Sequence, residues 1–358
     1  MQKISKEFGS VFCGKEAWTE FHKKMEALDP SKVFVITDTH TRQHCSTLFQ
    51  KHYDFPVTPI FLEMPAGEIN KKIDQCVTFW NELSQYGADR HSVCIHLGGG
   101  VVTDLGGFVA STFKRGITFI NIPTSLLAMV DAAVGGKNGV DLGYLKNQIG
   151  VIQDPLFTLI DIDFLDTLPE EELISGYAEI LKHGLIHSKE YWEKAVAIDF
   201  SNKSQLEQLV WDSIEIKHDI VRKDPREKGL RKTLNFGHTL GHAIESYCLK
   251  EKDHQTLLHG EAVAIGIILA CHLSFQRHEF PEAILTDVCD TIQKHYPTPF
   301  FSKTAIHEIV ELLAFDKKND RGKVCFVLLS DFGTHVIDCE VPTEQIFLAF
   351  EFYNKLNS

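Results

Sequence analysis

Five short runs rich in β-branched and aromatic residues recur through the first half of the chain, and they restrict its fold more than any other feature. KVFVIT (32–37), PIFLEMP (59–65), HSVCIHL (91–97), ITFINIP (117–123) and FTLIDID (157–163) are all of strand length. Helical patterns lie between them; NKKIDQCVTFWNELSQYG runs from Asn70 to a terminal Gly87. Parallel neighbours can be joined only by a crossover, so strands alternating with helices predict a mostly parallel sheet covered on both faces. After Thr167 the pattern changes to long amphipathic stretches: EEELISGYAEILKHGLI, QLEQLVWDSIEIKHDIV, LNFGHTLGHAIESY and GEAVAIGIILACHLSF. The chain therefore reads as an α/β domain over 1–166 and a mainly helical domain over 167–358. Near the end, KVCFVLLSDFG and HVIDCEV predict a small hairpin.

With 358 residues the chain can bury two cores, and its 44% hydrophobic and 24% charged residues are those of an ordinary globular protein. A formal charge of -13 argues against nonspecific binding to nucleic acid or to an anionic membrane. It does not exclude an anionic small molecule, because a local basic cluster can outweigh the global sign. Nine cysteines, none at C-x-x-C spacing, suggest neither a disulfide framework nor a thiolate zinc site, and a reducing cytoplasm is expected. MQKISKEFGSVF lacks the apolar core of a signal peptide. AVAIGIILAC (262–271), the longest apolar run, is too short to span a bilayer and reads as a buried helix.

Several stretches carry chemistry. HLGGGVVTDLGGFVAS (96–111) is a strand, a glycine turn and a helix start, where backbone can approach a ligand and a helix N-terminus favours an anion. It departs from the G-x-G-x-x-G fingerprint, yet a nucleotide or pyrophosphate is the expected ligand, with Asp38 at an earlier strand end suited to ribose hydroxyls. MVDAAVGGKNGVDLGYLKNQIG (129–150) sets Asp131, Lys137, Lys146 and Asn147 in a glycine-rich segment unsuited to a regular helix but suited to closing on an anion. Lys182, Lys217 and Arg231 sit in apolar helical surroundings rather than in charged runs.

LNFGHTLGHAIE (234–245) places His238 and His242 four residues apart, on one helix face. Such a pair can grip one metal ion, and so can core histidines satisfied by carbonyls be spaced this way. Glu179 and His259 are the further candidate donors, since a catalytic zinc takes about three protein ligands and keeps one position open. Spacing does not choose among His238, His242 and His259.

Taken in order, GGGVVTDLGGFVAST, KRGITFINIPTSLLAMVDAAVGGK, LKNQIG, TLPEEEL, GYAEILKHG, GLRKTLNFGHTLGHAIE and LHGEAVAIG resemble the run of motifs of the 3-dehydroquinate synthases, which belong to the sugar-phosphate cyclases. The resemblance extends from about Asp38 to the DKK at 316–318. It implies an α/β, Rossmann-like nucleotide-binding domain followed by a mainly helical metal- and substrate-binding domain. It also implies a carbon–oxygen lyase acting on phosphate, with NAD and zinc (cobalt as the alternative) as cofactors. The reaction would turn 3-deoxy-D-arabino-heptulosonate 7-phosphate into 3-dehydroquinate and phosphate. It would proceed by transient oxidation, phosphate elimination, reduction and an intramolecular aldol closure.

Carried over position by position, the resemblance makes Glu179, His238 and His259 the metal ligands. It moves His242 into the substrate pocket, with Lys137, Asn147 and Lys182 as the other catalytic positions. Arg115, Asp131, Lys217, Arg231, Asn235 and Lys318 fall where the family holds its sugar-phosphate substrate. Arg115 is expected to reach the site of a second subunit, which implies a homodimer. Asp38, Glu68, Lys71, Gly99, Gly100, Val101, Asp104, Thr124, Ser125, Lys146, Thr167 and Glu172 fall where it contacts NAD. The chain departs from many relatives in the Gly143-Tyr144-Leu145 approach to Lys146, in His183 after Lys182 and in Ser125, and none of these removes an expected ligand or charge. A sister cyclase lacking the substrate carboxylate would not need Lys217, Arg231 and Asn235 together. A polyol dehydrogenase would release NADH. A silent NAD- and metal-binding regulator would have no reason to retain every expected ligand.

Overall fold

The computed structural model describes residues 1–6, 9–143, 145–250, 257–313 and 324–356. It divides into two compact units, the first of Met1–Leu173 with Phe200–Ile214 and the second of Ile174–Asp199 with Glu215–Ser358.

The first unit is built on strands β1 (Gln2–Ile4), β2 (Ser10–Cys13), β3 (Val33–Asp38), β4 (Ile60–Met64), β5 (Val93–Gly98), β6 (Thr118–Pro123), β7 (Lys137–Leu142), β8 (Leu145–Ile152) and β9 (Phe157–Ile160). Among the described residues seven of these form one sheet in the order β1-β2-β9-β6-β5-β3-β4. All pairings in it are parallel except the edge pair β1–β2. Helices α1 (Ala17–Leu28), α2 (Thr39–His52), α3 (Ile73–Gln85) and α4 (Gly100–Thr112) supply the crossovers. The parallel α/β reading of the first half thus holds. The edge strand β1 and its neighbour β2 come from the N-terminal stretch, whose runs of three and four residues are too short to carry a strand signal.

Strands β7 and β8 pair antiparallel, consistent with a segment too rich in glycine for a helix. The sheet's core gathers Phe34, Ile36, Leu62, Phe79, Leu105 and Phe119 with their neighbours. Helix α4 lies close on β5 and β7 because Gly106 and Gly107 face them. A Cβ at Gly106 would stand 2.6 Å from His96 Cδ2, and one at Gly107 1.9 Å from Asn138 Oδ1.

His96 is fully buried on β5, with Nδ1 2.8 Å from Asn121 Oδ1. Its Nε2 is buried without a hydrogen-bond partner among the described residues. Burial pushes its pKa down to about 4, only partly offset by the Asn121 contact. Between pH 6.5 and about 4, therefore, the unfolded chain binds a proton that the folded chain refuses, and stability falls as pH falls. The expected loss is about 3 kcal/mol once pH is below both values. Urea unfolding of wild type and His96→Gln at pH 7 and pH 4.5 checks this. Equal pH dependence of the two proteins would refute the assignment.

The second unit is mainly helical. It takes most of α5 (Glu170–His187), then α6 (Lys189–Val196), α7 (Lys203–Lys223) from Glu215 onward, α8 (His238–Lys250), α9 (His259–Arg277), α10 (Glu282–His295) and α11 (Lys303–Leu313). The hairpin β10 (Cys325–Asp331) with β11 (Thr334–Glu340) and the helix α12 (Thr343–Lys355) complete it. From Ala262 to Ser274 every residue of α9 is buried, so the long apolar run is the central helix of this unit. Helix α8 packs closely on α9, where a Cβ at Gly266 would stand 2.1 Å from Gly237 O. Strands β10 and β11 pair antiparallel, and β11 alternates exposed and half-buried residues with period two, as a one-sided strand must. No disulfide joins any of the nine cysteines.

Candidate active site

In the first unit the expected nucleotide contacts collect at the carboxyl ends of the parallel strands. Chain order reverses around β3, because β4 lies on one side of it and β5 on the other. Open α/β sheets bind ligands in the crevice beyond such a switch point. Asp38 ends β3, and Gly98 ends β5, with Gly99 as the N-cap and Gly100 and Val101 as the first turn of α4. Thr124 and Ser125 follow β6, with Thr124 N donating to Gly98 O at 3.0 Å. Asp38 also has a local structural task. Its Oδ1 accepts from Thr41 N at 2.7 Å while Thr41 Oγ1 accepts from Asp38 N at 3.0 Å, a capping box that starts α2. Thr167 lies exposed at the end of the short turn Ile162–Thr167, and Glu172 in the first turn of α5.

Glu68, Lys71, Asp104, Lys146 and Asn147 form one polar network in this unit. Lys71 is 4% exposed and donates to Asp104 Oδ2 and to Asn147 Oδ1, both at 2.7 Å. Lys146 Nζ stands 3.1 Å from Glu68 Oε1. Burial alone would push the Lys71 pKa down, but Asp104 and Glu68 more than offset it and hold the ammonium above its ordinary value. Burial also raises the Asp104 carboxyl, with Lys71 as the main opposing influence. Asn147, expected at the substrate, is thus joined to the residues expected at NAD. Its left-handed φ of 52° is tolerated by asparagine, and Asp141 Oδ1 accepts its backbone N–H at 2.6 Å. Asp131 lies half-buried in the wide turn Ala128–Ala132, and Lys137 is exposed at the start of β7. Arg115 is exposed after α4 with a φ of 70°.

The second unit brings the expected metal ligands together. Glu179 on α5 is completely buried, and its Oε1 lies 3.1 Å from His238 Nε2 and 3.7 Å from His259 Nε2. That oxygen meets no donor in hydrogen-bond geometry among the described residues. The other carboxylate oxygen pairs with Lys182, one turn along the same helix and 1% exposed. Burial would raise the Glu179 pKa, but the Lys182 ammonium and His238 hold it well below the usual carboxylate range. The carboxylate is therefore ionised.

Imidazole tautomers follow from the far sides of the rings. His238 Nδ1 is 3.1 Å from Phe236 O. A carbonyl can only accept, so Nδ1 carries a proton, and in the neutral imidazole that a metal ion would bind Nε2 keeps its lone pair. Two histidine Nε2 atoms and an anionic oxygen thus face one point, which is the donor set of a divalent cation.

His242 lies close as well, its ring centroid 5.2 Å from that of His238 and 5.6 Å from that of His259. Donor atoms of these three histidines all lie within 4.8 Å of one another, so distance alone permits an all-histidine site. The electrostatics favour the set with Glu179, because an ionised, wholly buried carboxylate oxygen needs positive charge beside it.

Lys217 on α7 is 6% exposed and Arg231, in the short turn Leu230–Asn235, is 2% exposed. Arg231 Nη1 donates to Pro225 O at 3.0 Å, and Asn235 Nδ2 to Glu227 Oε1 at 2.7 Å. The loop before them is organised by Asp224, whose carboxylate accepts from the backbone N–H groups of Lys228, Gly229 and Arg231. Lys318 lies outside the described residues. Asp224, Glu227 and Glu245 were not singled out in the sequence. Glu245 could have been, since it follows His238 and His242 at i+7 and i+3 on one helix face.

Fold and site together define a class: proteins with a glycine turn at the ends of a parallel sheet and a buried carboxylate facing two histidines on a following set of helices. The family model for the 3-dehydroquinate synthase N-terminal region matches residues 61–175, and that for its C-terminal region matches residues 176–319. A 3-dehydroquinate synthase of Parabacteroides distasonis is 43% identical over 96% of this chain and 97% of its own length. The chain belongs to the 3-dehydroquinate synthase family. Among solved structures, 2-epi-5-epi-valiolone synthase from Streptomyces hygroscopicus, with NAD+ and Zn2+ bound, superposes with a TM-score of 0.81 at 25% identity, covering 99% of both chains. A 2-deoxy-scyllo-inosose synthase complexed with carbaglucose-6-phosphate, NAD+ and Co2+ also gives 0.81, at 23% identity over 99% of this chain and all of its own, and shares the fold.

Proposed function

We propose that the chain converts 3-deoxy-D-arabino-heptulosonate 7-phosphate to 3-dehydroquinate and inorganic phosphate, the second step of the shikimate pathway, with NAD and zinc as resident cofactors. The observation that carries this reading is the convergence of Glu179 Oε1 with the Nε2 atoms of His238 and His259 at 3.1 and 3.7 Å. Family membership supplies the substrate. Glu179, His238 and His259 would hold the zinc. The strand-end set of Asp38, Glu68, Lys71, Gly99, Gly100, Val101, Asp104, Thr124, Ser125, Lys146, Thr167 and Glu172 would hold NAD, the first unit acting as the NAD-binding domain. When bound, NAD and zinc supply a reversible hydride acceptor and a Lewis acid.

The chain's own residues bind and orient the sugar phosphate. Lys217 and Arg231 grip its carboxylate, and their burial magnifies each charge because water cannot screen it. Lys137 and Lys182 favour the phosphate. Asn147, Asn235, Asp131 and Lys318 hold hydroxyls or the phosphate end, and His242 lines the substrate pocket rather than the metal. Arg115, exposed on a left-handed turn, is suited to reach a second copy of the chain in a homodimer. No described helix is long and apolar enough to cross a membrane. A cytoplasmic location accords with the nine cysteines.

Phosphate release from the protein with zinc, catalytic NAD and 3-deoxy-D-arabino-heptulosonate 7-phosphate tests the reading, with sedoheptulose 7-phosphate and glucose 6-phosphate in parallel and NADH followed throughout. Release from the first sugar alone, without net NADH, is expected. Release from another sugar instead would overturn the substrate, and accumulating NADH without phosphate would indicate a dehydrogenase. Arg231→Ala should lower kcat/KM by at least about 30-fold, or about 2 kcal/mol, the worth of a buried charge-assisted contact. Unchanged kinetics in that variant would remove Arg231 from the pocket.

A further inference from the structure

We infer that Glu245 is the positioning residue of the metal centre, fixing the ring of His259 so that its Nε2 faces Glu179. This rests on the reading of His259 as a metal ligand. His238, His242 and Glu245 occur at i, i+4 and i+7 on α8, so one face of that helix presents two imidazoles and a carboxylate together. Glu245 is 5% exposed, and its Oε2 lies 3.2 Å from His259 Nδ1. A carboxylate accepts and a neutral imidazole has one N–H, so this contact puts the proton on Nδ1 and leaves the Nε2 lone pair. That Nε2 is the atom 3.7 Å from Glu179 Oε1.

The two histidines are held by different means. The orienter of His238 is the backbone carbonyl of Phe236, which is part of the turn into α8. His259 opens α9 and its side chain is 24% exposed, against 9% for His238 and 0% for Glu179. The most exposed ligand therefore relies on a side-chain anion for its orientation. A buried carboxylate behind an imidazole also makes it a stronger electron donor, and removing such a partner typically weakens metal binding about 10–100-fold.

Zinc affinity of the full-length chelator-stripped protein, measured by competition with a chromophoric chelator, tests this. Cobalt-substituted absorption spectra are recorded on the same proteins. Glu245→Ala should bind zinc about 10–100-fold more weakly with a shifted cobalt spectrum. Glu245→Gln keeps an acceptor oxygen without the charge, so it should lose less than Ala yet still bind measurably more weakly than wild type. His259→Ala should lose zinc almost entirely. Zinc retained at wild-type affinity by His259→Ala would overturn the ligand reading itself. Loss in His259→Ala with wild-type affinity and spectrum in the Glu245 variants would overturn the role of Glu245 alone. Should Glu245→Ala not fold, wild-type affinity and spectrum in Glu245→Gln overturn it equally.

Discussion

Glu179→Gln is expected to strip the protein of zinc and, in the metal-free state, to lower its stability by about 3–5 kcal/mol, the cost of breaking one side of a buried ion pair. Both effects come from one carboxylate. Its Oε1 faces the two histidines, and its other oxygen neutralises Lys182, which is 1% exposed. A neutral amide removes the negative charge that faces that ammonium where water cannot reach it. Adding Lys182→Met removes the buried positive charge with a side chain of similar length, so the double variant should regain most of the stability. It should not regain zinc. Urea unfolding of chelator-treated proteins and zinc content after dialysis separate the two effects. A single variant that keeps one zinc per chain would exclude Glu179 as a ligand.

Gly260→Ala is expected to destabilise the second unit by about 3 kcal/mol or more, at or beyond the upper end of ordinary overpacking. The new Cβ would stand 1.8 Å from Ser175 O and 2.5 Å from its carbonyl carbon. Both atoms are backbone, so no side chain can swing aside, and α9 would have to part from α5. The contact is also stitched by Gly260 N donating to Ser175 Oγ at 3.0 Å. Since α5 carries Glu179 and α9 begins with His259, parting the helices separates two of the proposed ligands, and zinc affinity should fall with stability. Thermal unfolding and zinc competition on the soluble variant check this. A melting temperature within about 2 °C of wild type would mean that the helices do not touch there.

Much of this architecture could be read along the chain. Strand-length apolar runs separated by helical patterns predicted the parallel sheet, because each signal is local and each connection leaves one economical topology. The C-terminal hairpin and the burial of Ala262–Cys271 were legible for the same reason. The edge strand β1 and its neighbour β2 were not, since three- and four-residue strands are held by their neighbours rather than by their own pattern. Nor was the return of Phe200–Ile214 to the first unit, which is a matter of which surface that stretch covers. The left-handed Asn147 and its link to Lys71 depend on a hairpin and on a turn 76 residues earlier in the chain.

By itself the sequence determined which residue types are available and where each sits on its own helix or strand. His238, His242 and Glu245 share a face of α8, and Glu179 and Lys182 share a face of α5, because helical spacing depends only on position along the chain. It could not choose the metal ligands, since two histidines four residues apart are equivalent until something stands opposite them. What stands opposite them is set by tertiary structure, and it favours the proposed set of Glu179, His238 and His259. Packing α5, α8 and α9 through Gly237, Gly260 and Gly266 brings an ionised, buried carboxylate to within 3.1 and 3.7 Å of His238 and His259. Phe236 O and Glu245 then hold the Nδ1 protons on the far sides of those rings. Ligand geometry is a relation among three helices, and the charge that must be balanced appears only when they close around it.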